Sequence, residues 1–147
     1  MFLKTVLAAA AAIVLFAPTP APAATFNYTA TLAGVSETFD GHHFPFKGTG
    51  TMTIDDVAGT VSYSFDLNNG LTFSGTGQAA VTPKGRVFGL VNSSSGGING
   101  TAIVVGSTPK SRKTFTVKIT AAIPNRLGPA PGGFVISKMT AKGKQAI

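Results

Sequence analysis

Apolar side chains recur at every second position in run after run of this chain. Val61, Tyr63, Phe65 and Leu67 alternate with Ser62, Ser64 and Asp66, and Phe26, Tyr28, Ala30 and Leu32 alternate with Asn27, Thr29 and Thr31. Successive side chains of an extended strand point to opposite faces, so a period of two gives each run one apolar and one polar face. No stretch after residue 23 carries the 3.6-residue period of an amphipathic helix. The chain must therefore bury its core with half-buried strands.

Turn signals cut the alternation into short lengths. "DDVAG" at residues 55–59 follows the run of Gly50, Met52 and Ile54, and "NNG" at 68–70 closes the next run; Asn and Gly tolerate the positive φ of tight hairpins. Further runs at residues 71–81, 86–91, 100–105, 114–121 and 134–141 bring the count to about eight strands. A weak repeat gives their order. "FKGTGTMTI" from Phe46 aligns with "FSGTGQAAV" from Phe73 and "INGTAIVV" from Ile98, each followed by a turn and a partner strand. The unit is a β-hairpin, and hairpins in series make a meander. The expectation is an all-β, single antiparallel domain, closed as an up-and-down barrel or folded as a β-sandwich.

Glycines at 48, 50, 75 and 77 fall on the inward face of these strands. A strand glycine marks a bend, a bulge or a close approach by backbone or ligand, and bending is the favoured reading here. A barrel of eight strands is either filled by its own side chains or holds one small ligand, and the sequence leaves both open.

The first 23 residues read differently. Lys4 precedes a continuous apolar run over residues 6–17, and "PTPAPAA" follows, placing Ala21 and Ala23 at the −3 and −1 positions of an A-x-A cleavage site. About 12 apolar residues span only about 18 Å as a helix, whereas a bilayer core needs about 30 Å. Residues 1–23 are thus expected to be a secretory signal peptide and residues 24–147 the exported domain, periplasmic or secreted, with no transmembrane span. The chain has no cysteine, so no disulfide staples the fold.

Charge is unevenly placed. The net charge is +7, and all five acids, Glu37, Asp40, Asp55, Asp56 and Asp66, lie before residue 70. Ten of the twelve basic residues lie from Lys84 onward. Lys110, Arg112 and Lys113 cluster in one predicted loop, Arg126 sits in "PNRLGPAPGG", and Lys138, Lys142 and Lys144 run toward the end. For an exported protein such a balance points to an anionic neighbour, such as acidic envelope glycans or lipid head groups. Nucleic acid does not fit, because no binding motif occurs and aromatics do not interleave with the basic residues.

Both histidines fall in "DGHHFPFKG", residues 40–48, within a predicted connection over residues 34–47. Adjacent residues of an extended chain point apart, so His42 and His43 do not clamp one ion together, and only Asp40 and the more distant Glu37 could add ligands. No metal site is expected. Pro45 favours an extended conformation at Phe44, which aims Phe44 and Phe46 the same way. These two read as a lid on the open end of the core, or as an aromatic contact surface, with the histidines outward.

Catalytic motifs are lacking. "STPK" at residues 107–110 matches a Ser-x-x-Lys spacing, but that chemistry needs a helix and Pro109 interrupts it. No G-x-S-x-G, H-E-x-x-H or P-loop occurs. The expectation is a non-enzymatic protein without a cofactor.

One stretch resembles a known family. "YTATLAGVSET" at 28–38, followed by "GTGTMTIDDVAGTVSYSFDLNNGL" at 48–71, is similar to the opening of the CHRD domain, a secreted β module shared by chordin and many bacterial proteins. The histidine-containing segment that usually follows in that family is absent after Leu71. The resemblance implies an exported β domain and no site residues. The functional expectation is an anion-binding domain using Lys110, Arg112, Lys113, Arg126 and Lys138. The alternative is a small β-barrel carrier of an apolar molecule under a Phe-rich lid.

Overall fold

The computed structural model describes residues 24–125 and 133–146. The expected signal peptide and Arg126 lie outside the described residues. Eight strands follow in order: β1 (Thr25–Glu37), β2 (His43–Asp55), β3 (Thr60–Leu67), β4 (Thr72–Val81), β5 (Arg86–Ser95), β6 (Ile98–Ser107), β7 (Thr114–Pro124) and β8 (Phe134–Gln145). Each pairs antiparallel with the next, and β8 returns to β1 in a ladder from Tyr28↔Gln145 to Glu37↔Ile136. That last ladder closes the sheet and decides for the up-and-down barrel over the sandwich.

The alternation read in the sequence maps onto inside and outside. Tyr28, Leu32, Met52, Phe65, Val104 and Ile119 are among the buried inward side chains, each at most 2% exposed. Burying one such side chain stabilises the fold by about 1.5–3 kcal/mol. Aromatic rings fill the middle of the barrel: Tyr28 meets Phe115 edge-on at 4.8 Å between centroids, and Tyr63 stacks on Phe73 at 5.2 Å. The Tyr63 hydroxyl is satisfied by the Ser93 hydroxyl at 3.2 Å, and Ser93 in turn reaches the Ser74 carbonyl. The interior is packed by the chain's own side chains along most of its length.

The inward glycines serve that packing. A Cβ on Gly50 would coincide with the Ser64 carbonyl oxygen of β3 and lie 2.8 Å from Phe65 Cα, and one on Gly75 would lie 2.5 Å from the Tyr63 ring. Neighbouring backbone and ring occupy the room a side chain would need, so these glycines let the sheet coil tightly and do not open space for a ligand. The hairpin repeat also has a structural counterpart. Phe46, Phe73 and Ile98 stand at equivalent places on β2, β4 and β6, each followed by its partner strand β3, β5 or β7.

The region around Pro45 differs from the sequence expectation. The connection expected over residues 34–47 is mostly strand: β1 runs to Glu37, β2 begins at His43, and only residues 38–42 turn. Pro45 is accommodated because β2 overruns β3 here. It pairs with Val35 on one side, while the β2–β3 ladder does not begin until Gly48↔Leu67. A proline is tolerated on such an unpaired edge.

Meander order gives the barrel two distinct ends. Turns at residues 38–42, 68–71 and 96–97 surround one, the mouth; turns at 56–59, 82–85 and 108–113 surround the other, the base. Outward positions on β1 to β4 are chiefly Thr, Ser, Asn and Asp. On these four strands an apolar inside and a hydroxyl-rich outside reverse the pattern of a membrane-spanning barrel. Among the described residues no helix is long and apolar enough to cross a membrane.

Candidate functional site

Strand parity gathers lysines on one outer face. On β7 the inward set is Phe115, Val117, Ile119 and Ala121, which turns Lys118 outward; on β8 the inward set is Ser137, Met139 and Ala141, which turns Lys138, Lys142 and Lys144 outward. Register sets them side by side, with Lys118 opposite Thr140, Thr120 opposite Lys138, and Thr116 opposite Lys142. Across the closing ladder Lys142 faces Thr31 and Lys144 faces Thr29 on β1, and Ala33 of β1 faces Lys47 of β2. Two shallow depressions on this face share Thr31, Thr49 and Lys142, forming one trough floored by small and hydroxyl side chains and edged by Lys47, Lys142 and Lys144. Asp66 stands at its far edge, held by the Thr72 hydroxyl at 3.1 Å.

No acid lies within 4.0 Å of any of these lysines among the described residues. Lys142 and Lys144 on one strand are spaced by about 7 Å, the repeat of alternate residues. Like charges at that spacing repel, and a bound polyanion relieves the repulsion while releasing its own counterions. The threonine hydroxyls between them can donate to or accept from the same partner.

The loop cluster named from sequence divides. Lys110 and Lys113 are exposed at the base. Arg112 turns inward, its Nη2 lying 3.1 Å from Asp56 Oδ2, and its guanidinium lies over the Phe26 ring at 6.0 Å. Arg112 thus closes the barrel base and is removed from the free basic set. It is also the one described non-glycine residue at positive φ, 55°. Below it, burial pushes the Tyr28 hydroxyl pKa up, partly offset by the Thr108 hydroxyl and the Arg112 charge. Of the residues expected to bind, Lys138 belongs to the lysine face, Lys110 and Lys113 sit apart at the base, and Arg126 is outside the described residues.

The mouth is finished in the opposite manner, with apolar side chains. A cavity of about 220 Å³ opens there, walled by Phe44, Phe46, Leu71, Phe73, Ile98 and Met139 among others. Phe46 is buried, whereas Phe44 stands at the rim, 56% exposed. The cavity's polar lining comprises Asn69, Ser95, Asn125 and a hydroxyl pair, Ser36 Oγ to Ser137 Oγ at 2.7 Å. His42 pairs with Asp40 at 3.4 Å in open solvent, and His43 faces Glu37 across the β1–β2 ladder. The Thr38 hydroxyl, with a smaller contribution from His42, holds the Asp40 carboxyl below its ordinary pKa. No three metal-ligating side chains converge among the described residues.

Sequence reasoning grouped basic residues by nearness along the chain and so favoured the 110–113 loop over Lys118, Lys142 and Lys144. Their even-numbered positions on odd-inward strands were the signal that places them together. No protein-family model matches this chain, and no curated protein matches it, so the similarity to the CHRD opening gains no support from a wider comparison.

Proposed function

We propose that this protein is an exported, non-enzymatic β-barrel that binds an anionic glycan or lipid surface through the lysine face of β7, β8 and β1. The observation that carries the reading is the outward set of Lys118, Lys138, Lys142 and Lys144, without an acid partner among the described residues, of which Lys142 and Lys144 edge a hydroxyl-floored trough. Cations set side by side at strand spacing cost self-repulsion, and a partner of opposite charge turns that cost into affinity. The export reading rests on the apolar run and A-x-A site of residues 1–23. The binding reading is favoured over catalysis because both histidines are exposed to solvent at the mouth, His42 beside Asp40 and the Thr38 hydroxyl, and no catalytic motif occurs in the sequence.

Retention on immobilised dextran sulfate over a salt gradient tests it. The wild-type protein is expected to bind and to elute as salt rises. Replacing Lys118, Lys138, Lys142 and Lys144 together by Gln is expected to weaken binding roughly tenfold or more, and replacing Lys110 and Lys113 to weaken it less. Equal loss from both sets would move the site to the base.

A second reading is favoured by the mouth cavity: carriage of a small apolar molecule. About 220 Å³ exceeds an engineered cavity of about 150 Å³ that takes up benzene. A bound compound would appear as the difference between native and denatured masses of the protein exported by its host.

A further inference from the structure

The outer surface is hydroxyl-rich on β1 to β4, and among the places that break this pattern one joins four large apolar side chains. On β5 and β6, Phe88, Leu90, Ile103 and Val105 point outward and are 47%, 60%, 54% and 43% exposed. Register makes them one patch: Phe88 pairs with Val105, Leu90 with Ile103, and Ala80 of β4 with Phe88. Four large apolar side chains kept in water, on the order of a few hundred Å², mark an interaction surface.

The rim of the patch says what covers it. Lys118 sits directly across the β6–β7 ladder from Val105, and Arg86 lies two residues before Phe88 on the same face. Lys84, Lys110 and Lys113 are exposed in the turns at the base end of the same strands. After Asp66 the chain has no acid, so no carboxylate from β4 to β8 touches this surface. A second copy of the chain laid face to face would meet cationic rim with cationic rim and find no acid to pair. The patch holds only a shallow depression, open to solvent, between Phe88, Leu90, Ile103 and Val105, with no walls to enclose a peptide. An apolar centre ringed by lysine and arginine suits the boundary between acyl chains and anionic head groups, where long basic side chains reach the phosphates while their neighbours enter the hydrocarbon.

We infer that the β5–β6 face is a membrane-docking surface, inserting Phe88, Leu90, Ile103 and Val105 shallowly into an anionic bilayer while Arg86 and Lys118 hold its head groups. This inference rests on the anionic-partner reading and narrows that partner to a lipid surface.

The chain contains no tryptophan, so Phe88→Trp supplies a single reporter at the centre of the patch. The full exported protein carrying it is mixed with vesicles of phosphatidylglycerol and phosphatidylcholine, with phosphatidylcholine vesicles alone, and with dextran sulfate. The expected result is a blue-shifted emission, quenched by bromine on the acyl chains, with phosphatidylglycerol vesicles only. Phe88→Ser with Leu90→Ser should lower vesicle affinity tenfold or more while leaving dextran sulfate retention unchanged and the thermal melt cooperative. Vesicle binding without the blue shift would overturn the inference, since lysines alone would then make the contact. Retention on dextran sulfate without vesicle binding would overturn it and leave the anion-binding reading standing. Binding to neither would remove both. A concentration-dependent blue shift without lipid would also overturn it, because a second copy would then be the occupant.

Discussion

Arg112 and Asp56 meet at 3.1 Å across the base of the barrel and close it with an ion pair, both side chains largely withdrawn from water. Asp56 Oδ1 and Arg112 Nη1 remain buried without a hydrogen-bond partner among the described residues. Removing one partner therefore strands a charge that burial has already desolvated. Asp56→Ala is expected to cost about 1–3 kcal/mol in urea unfolding, and adding Arg112→Ala is expected to cost less than the two single changes summed. Arg112→Gln is expected to leave dextran sulfate retention near wild type, because this arginine faces Asp56 and Phe26.

The mouth predicts a split between two neighbouring phenylalanines. Phe46 is 7% exposed and packs against the core, whereas Phe44 is at the rim. Phe46→Ala is expected to cost about 3–5 kcal/mol, and Phe44→Ser less than about 1 kcal/mol. Denaturant melts of the two variants check this, and equal losses would show that Phe44 is packed as well.

Gly50 tests the coiling of the sheet. A methyl group there collides with the Ser64 carbonyl of the neighbouring strand. Gly50→Ala is expected to destabilise by about 2 kcal/mol or more, although the same change on an open strand face favours folding. A neutral outcome would mean that β2 and β3 can separate without cost.

Burial pushes the Tyr63 pKa up to about 12, its hydrogen bond to Ser93 only partly opposing this. The folded value lies above the unfolded 10.0, so the linked stability is fully present below pH 10 and is lost as pH rises through the folded value. Tyr28 is shifted the same way. These two are the only tyrosines in the chain. Spectrophotometric titration of the folded protein is therefore expected to stay silent near pH 10, with tyrosinate absorbance and unfolding appearing together at higher pH. A normal titration step without unfolding would contradict the buried placement.

How far the fold could be read from sequence depended on which interactions were local. Alternation at Tyr28, Ala30 and Leu32, or at Val61, Tyr63 and Phe65, is a property of single strands, and it survives in the barrel unchanged. Closure was not readable, because the β1–β8 ladder joins positions as far apart as Tyr28 and Gln145 and leaves no local mark. The extent of β2 was misjudged at Pro45, since a proline stops a strand only where its edge must pair, and pairing is a tertiary fact. The lysine face was hidden for the same reason: Lys118 and Lys142 are distant in sequence and meet only through the register of β7 and β8. Arg112 reads with Lys110 and Lys113 in the sequence because nothing local marks its partner, Asp56, across the base.

The most direct measurement is an amide chemical-shift titration of the isotope-labelled exported protein with dextran sulfate. The lysine-face account predicts perturbations concentrated on β7, β8 and β1, around Lys118, Lys138, Lys142 and Thr31, fading as salt is raised. Perturbations confined to the mouth at Phe44, Leu71 and Ile98 or to residues 108–113, or none at saturating polymer, would contradict it.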